Sequence, residues 1–244
     1  AIDELSVQVD QAAGAVDGIH RASVLLPKFL GEDGKRSYLV VGQNNAEWRS
    51  LGGMVGAMFT IDTAKGRIDI GDFTASTDLD RVTRPLIPLP DELLKFVLPN
   101  PAVRAQNATQ VPDFAVSGEI LQARWKKQFG KNVDGVIAID PVTLSYLLEA
   151  TGPVTVPTAG GQTVKITSKN AVSILLNKVY VDYPTDVQDA IYNATVAAVF
   201  TKIMDGNAEP RALLSALSKA SGERRILIWS EREGEQSALD GTKL

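Results

Sequence analysis

The segment Gly135-Val136-Ile137-Ala138-Ile139 runs directly into Asp140-Pro141, and this junction constrains the fold more than any other feature of the chain. A short apolar run with β-branched residues reads as a buried strand. Its polar stop is a helix start: Asp140 is a natural N-cap, accepting from an otherwise unpaired first-turn amide, and Pro141 fits the first helical position, where its missing N–H does no harm. The helix is expected to run through Ala150 and to stop at Thr151-Gly152-Pro153. A buried strand feeding a capped helix without a linker predicts layered α/β architecture.

The remaining segments fill out that architecture. Apolar residues at helical spacing from Ile2 to Phe29 (Leu5, Val9, Ala12, Val16, Ile19) predict a long opening helix, broken at Pro27 and Gly31. Tyr38 to Gly42 reads as a second buried strand. Met54 to Asp62 and Arg67 to Phe73 flank Ala64-Lys65-Gly66 and read as a hairpin of central antiparallel strands. The proline-studded stretch from Arg84 to Pro112 reads as a long, partly irregular excursion over a surface or a cleft, with one short helix, Asp91 to Leu98. Helices are expected over Ala115 to Phe129, Ser168 to Lys178, Asp186 to Met204 and Glu209 to Ala220. A small hairpin is expected at Val154 to Ile166, and a last strand at Arg225 to Trp229. Strands joined partly by helices and partly by hairpins predict one domain with a mixed central sheet and helices on both faces. The charged segment Ser230 to Leu244 reads as a solvated tail.

Composition excludes several functions. A net charge of -4 argues against a general nucleic-acid binder, which needs a basic face. With no cysteine, thiolate nucleophiles, disulfides and the common structural zinc sites are removed together. His20, the sole histidine, lies in the opening helix, so histidine-dependent nucleophilic catalysis is not expected. The longest apolar run, Leu51 to Ile61, falls short of the roughly 20 residues a spanning helix requires and reads as a core strand. Starting at Ala1, the chain is expected to be a mature product or an excised piece of one, with its membrane attachment in a segment outside it.

Candidate site residues cluster at the end of the Tyr38–Gly42 strand. Gln43-Asn44-Asn45-Ala46-Glu47-Trp48-Arg49-Ser50 gathers amides, an acid and an arginine between two core strands. Arg49 is suited to gripping phosphate or carboxylate through paired N–H donors, with Asn44, Asn45 and Glu47 shaping the pocket. The competing reading is an internal network in which Glu47 or a backbone carbonyl satisfies Arg49. Gly52-Gly53 lacks the lysine of a phosphate loop and reads as a turn packed closely on a strand. Asp182, Asp186 and Asp189 match no calcium loop, and helix capping explains them as well.

Several blocks carry a family resemblance: Leu30 to Leu39, Gln43 to Gly53, Val111-Pro112-Asp113-Phe114, Val133 to Pro141, Ala150 to Val156, Tyr180 to Pro184 and Ile226 to Ser230. In this order they resemble an uncharacterised family of actinobacterial, membrane-anchored envelope proteins. That family is distantly similar to the LytR-CpsA-Psr proteins, which transfer polyprenyl-phosphate-linked glycans to wall polymers using arginines and magnesium around the pyrophosphate. The resemblance implies the LytR-CpsA-Psr-like fold, a place on the extracellular face of the membrane, and an envelope glycan or a polyprenyl-phosphate-linked substrate as partner. Arg49-Ser50 falls where those enzymes carry Arg-Ser-Asp, and Gln43-Asn44 falls where they carry an early aspartate, so both metal-binding acids are missing. Tyr180 to Tyr192 contains no arginine where the enzymes are arginine-rich, leaving Lys178 as the substitute positive charge. The resemblance therefore implies a degenerate glycan phosphotransferase or a non-catalytic surface binding module, with magnesium a cofactor of the first only.

Overall fold

In a computed structural model that describes residues 21, 23–97 and 100–242, a six-stranded mixed sheet has β1 and β5 as parallel neighbours at its centre. Helix α1 (23–29) leads into β1 (Arg36–Asn44), which pairs antiparallel with β2 (Met54–Ala64). β3 (Arg67–Ile70) closes the hairpin on the outer edge of β2, and the two-residue β4 (Thr74–Ala75) adds to the same strand. Then follow α2 (Asp91–Phe96), α3 (Asn100–Val103), a 3-10 turn over Ala105–Gln110, and α4 (Phe114–Phe129). β5 (Gly135–Ile139) runs into α5 (Pro141–Thr151), and β6 (Val154–Pro157) with β7 (Thr163–Ile166) forms a separate small hairpin. α6 (Ala171–Ser173), a π-helical turn over Ile174–Lys178 and α7 (Val179–Asp182) make one interrupted helix. After it come α8 (Thr185–Met204), α9 (Pro210–Gly222), β8 (Leu227–Ser230), antiparallel to β5, and α10 (Glu233–Leu239).

The sheet is covered on both faces, as period-two alternation in its central strands requires. Val40, Phe59, Ile61 and Ile139 pack with Leu144 and Leu148 of α5, Ile191 and Val199 of α8, and Ala216 and Ala220 of α9. Their neighbours Leu39, Val41, Met58, Val136 and Ala138 face Ile120, Leu121 and Trp125 of α4, together with Ala105 and Ala108 of the 3-10 turn. A β-bulge sits where the β1–β2 register passes from Val41↔Met58 to Gln43↔Val55. Two residues of β1 there oppose three of β2, so Val55 joins the same core as Met58 and the strand ends are redirected.

Four expectations need correction. The Arg67 strand lies on the sheet edge and ends at Ile70, so only β2 of that hairpin is central. The stretch from Arg84 to Pro112 is not a loose excursion, because Ala102, Ala105, Ala108 and Val111 are buried in the α4-side core. The helix expected to end at Lys178 continues through the π turn to Asp182. Finally, the segment after Ser230 is no solvated tail: α10 buries Glu235 and Leu239, and Glu235 meets Arg36 in a buried ion pair. The opening helix is described only from Arg21 onward; its earlier turns and His20 lie outside the described residues. Among the described residues, no helix is long and apolar enough to cross a membrane.

Candidate functional site

The carboxyl ends of the parallel strands β1 and β5 lie side by side, with Gly42 opposite Ile139, and the candidate site is built there. A crevice beyond strand carboxyl ends is where open α/β sheets hold ligands, because strands stop and helices diverge. Asp140 anchors it. Its Oδ1 accepts from the Thr143 amide (2.7 Å) and hydroxyl (2.9 Å), which caps α5 as the sequence predicts. Its Oδ2 accepts from Asn45 Nδ2 (3.0 Å) and from Arg225 Nη1 (2.7 Å). Arg225 in turn donates from Nε to Glu223, which also accepts from the Tyr146 hydroxyl. These bonds to Arg225 and Tyr146 hold the Glu223 carboxyl below its ordinary range. The β1–β2 connection is thereby pinned to the start of α5 and to the residues before β8.

Beside this anchor is a narrow cleft. Gly42, Gln43 and Asn44 form one wall, Leu175, Leu176, Val179 and Tyr180 another, and Gln188, Asp189 and Tyr192 of α8 the third. Asn44 Nδ2 donates to the Tyr180 hydroxyl (3.0 Å) and to Glu47 Oε1 (3.2 Å), tying the strand end to the far lip. Gln43 is 4% exposed, and its Nε2 has no hydrogen-bond partner; the hydroxyl of Tyr192 is also buried without one. Burial, then the charge of Asp140 and the neighbouring Tyr180, push the Tyr192 phenol well above its ordinary range, so it stays a neutral O–H donor. Burial, with Glu47 and Asp189, raises Tyr180 as well. The free volume at the cleft floor is about 40 Å³, room for a few waters or one hydroxyl-bearing arm and far below what encloses a sugar ring or a prenyl chain.

Two glycines make this geometry. A Cβ on Gly42 would sit 2.4 Å from the Tyr192 hydroxyl and 2.7 Å from its ring, so only glycine lets α8 press that ring against β1. Gly42→Ala is expected to cost about 1–3 kcal/mol by overpacking. Equilibrium urea unfolding checks this: an unchanged midpoint would mean that Tyr192 swings away freely. At Gly52, φ is +115° and a Cβ would meet Gln43 Oε1 at 2.9 Å, which accounts for the Gly52-Gly53 turn without any phosphate.

The structure divides the residues that the sequence grouped. Asn44 lines the cleft, Asn45 lies beneath it on Asp140, and Glu47 stands exposed at the rim. Arg49 points away from all three. Its Nη1 donates to the Trp48 carbonyl (2.8 Å) and its Nη2 makes a long contact with Asn107 Oδ1 (3.5 Å), while no described carboxylate comes within ion-pair distance. The internal reading of Arg49 is thus met in part, by a backbone carbonyl and not by Glu47. Lys178 is exposed on the π turn and is not among the residues lining the cleft. Sequence reasoning named none of Tyr192, Leu175 and Leu176 as site residues; Leu175 and Leu176 lie on the π turn, which shifts helix phase and which periodicity does not mark.

Magnesium does not fit these residues. Gln43 and Asn44 are amides, both oxygens of Asp140 are taken by protein donors, and Asp189 is the one carboxylate lining the cleft. Among the described residues, no group of three or more histidine or acidic side chains could hold a metal ion. Asp182 and Asp189 belong to no such group, and the side chain of Asp186 lies outside the described residues.

Residues 33–180 match the family described as "Protein of unknown function (DUF4012)", more than half of the chain. No curated protein matches. Among solved structures, the chain is similar to protein gbs0355 from Streptococcus agalactiae, with 16% identity, 87% of this chain and 74% of that one covered, and a TM-score of 0.55. It is also similar to the Lin1025 protein from Listeria innocua (10% identity, 84% and 76% covered, TM-score 0.48) and to TagV of Bacillus subtilis (10% identity, 86% and 81% covered, TM-score 0.38). The first of these shows a shared fold. The other two are too distant to carry an argument.

Proposed function

We propose that this chain, which belongs to the DUF4012 family, is a glycan-binding domain of the cell envelope that takes a hydroxyl-bearing arm of a polysaccharide into the cleft at the ends of β1 and β5. One observation carries the reading: Gln43 Nε2 and the Tyr192 hydroxyl are buried, unpartnered donors of residues lining the cleft. An unsatisfied buried donor costs about 1–3 kcal/mol, and a ligand oxygen recovers that cost. Amides, tyrosine hydroxyls and a carboxylate form a set suited to neutral hydroxyl groups. No lysine or arginine lines the cleft among the described residues, so the lining offers a pyrophosphate no cationic side chain. The non-catalytic binding module is for this reason preferred to glycan phosphotransfer. The placement on the outer face of the membrane rests on the resemblance of the sequence blocks to envelope proteins.

The test is calorimetric titration with neutral chitooligosaccharides and, separately, with a polyprenyl pyrophosphate in the presence and absence of magnesium. Saturable oligosaccharide binding that weakens about tenfold in Gln43→Ala or Tyr192→Phe supports the proposal, one lost buried hydrogen bond being worth roughly that factor. Magnesium-dependent pyrophosphate binding that vanishes in Arg49→Ala and is unmoved by the cleft variants would overturn it in favour of the transferase.

A further inference from the structure

We infer that Trp48 and Arg49 form a second saccharide subsite across the β1–β2 connection from the cleft, one that stacks a sugar ring and pairs with an anionic substituent on it. This rests on the glycan reading of the cleft and extends it to an oligomeric, charged ligand. Trp48 is 88% exposed, whereas the other two tryptophans, Trp125 and Trp229, are 5% and 6% exposed. A large indole face left in water on an ordered turn is disfavoured for a monomer and favoured where a ring packs on it. The turn is fixed: Met54 N donates to the Glu47 carbonyl, Leu51 N to the Thr109 carbonyl, and Ser50 Oγ to the Gln110 carbonyl (2.8 Å). The indole is consequently presented from a rigid support.

Trp48 borders an open depression whose other residues are Arg49, Ser50, Gly52 and Gln110. Arg49 brings a full positive charge there with no ion-pair partner among the described carboxylates. Its five N–H donors are only partly used, by the Trp48 carbonyl and Asn107. A uronate carboxylate or a sugar phosphate supplies the matching charge, and the fork geometry of the guanidinium suits either. Cleft and depression both border the connection between β1 and β2, the first at Asn44 and the second at Trp48, four residues on, which places them on one short segment for an oligomeric ligand. A membrane surface is the less favoured occupant, because the residues that line the depression with the indole are Arg49, Ser50, Gly52 and Gln110, and none is a large apolar side chain.

The experiment is acrylamide quenching of tryptophan emission in the full chain, alongside calorimetry, during titration with chitohexaose, hexagalacturonate, glucuronate and glucose 6-phosphate. The accessible emission comes from Trp48. The expected result is that it becomes protected at saturation by a charged ligand and that hexagalacturonate binds about tenfold more tightly than chitohexaose. Trp48→Ala is expected to remove the protection and to weaken both hexasaccharides, whereas Arg49→Gln is expected to remove only the preference for the charged one. Glucuronate against glucose 6-phosphate decides between carboxylate and phosphate. Calorimetric binding that leaves Trp48 fully quenchable overturns this subsite and spares the cleft; no saccharide binding at all overturns the cleft reading itself. Protection of Trp48 by phospholipid vesicles and by no saccharide would assign the indole to a membrane surface and overturn the inference.

Discussion

Glu235→Ala is expected to destabilise the protein by about 3–5 kcal/mol, the range for removing one partner of a buried ion pair. The Arg36 and Glu235 side chains are 7% and 3% exposed, and Arg36 Nε lies 3.7 Å from Glu235 Oε1, close enough for charge attraction and too far for a hydrogen bond. Glu235 is better satisfied than its partner, since its Oε2 also accepts from the Ser230 hydroxyl at 2.8 Å. Arg36 has otherwise only long contacts to the carbonyls of Gly34 (3.4 Å) and Lys35 (3.3 Å). Without Glu235 a guanidinium would stay in the sheet-end core with its charge uncompensated. The double replacement Arg36→Met with Glu235→Leu removes both desolvation costs and is expected to fall within about 1 kcal/mol of the parent or above it. Urea unfolding of the parent, both single variants and the double variant completes the cycle. Losses that simply add would show that the two charges do not act as a pair.

That pair also explains why α10 was illegible in the sequence. Seven residues, Glu233–Leu239, are too few for periodicity to stand out, and Arg232 at the N-cap makes no side-chain capping bond. The helix forms because Glu235 and Leu239 have somewhere to be buried, and part of that place is supplied by Arg36, far away in the chain. Arg21 adds to it by donating to the Ala238 and Asp240 carbonyls, closing the end of α10 from the first described helix. By contrast β5, Asp140 and Pro141 were legible because each signal is local: an apolar run, a capping side chain, and a proline at a position that needs no amide.

The site divides along the same line. The polar strand end Gln43 to Glu47 could be read directly, since amides and acids after a buried strand have few structural uses other than turns and ligands. Which way each side chain points could not, because the bulge between β1 and β2 and the turn at Gly52 set those directions. Arg49 was grouped with Asn44 by closeness in sequence, yet the 3-10 turn Ala105–Gln110 draws it to the other side of the loop through Asn107. Tyr192 looked like one more core residue of a long helix. Its partner in position is Gly42, a contact that no pattern within α8 announces.

Asp140 joins fold and site, and its replacement separates the two. Asp140→Ala removes the cap of α5, worth about 1 kcal/mol, and leaves Asn45 and Arg225 without their acceptor. Because the Arg225 side chain is 32% exposed, water recovers part of that loss, and the expected total is about 3 kcal/mol rather than the higher figure for a sealed pair. Asparagine caps helices as well as aspartate does, so Asp140→Asn is expected to keep the cap through Oδ1 and to lose the Oδ2 acceptor that Arg225 and Asn45 share, at about 1–3 kcal/mol. The difference between the two variants in urea unfolding measures the cap, and the residual deficit of Asp140→Asn measures the shared acceptor for Arg225 and Asn45. Binding adds a second axis. If Asp140 positions the cleft through Asn45, Asp140→Ala weakens oligosaccharide binding under conditions where the variant is still folded, whereas Arg225→Gln, which leaves the Asn45 bond intact, does not. Equal weakening in both would instead make the whole Asp140–Arg225–Glu223 chain the support on which the β1–β2 connection rests.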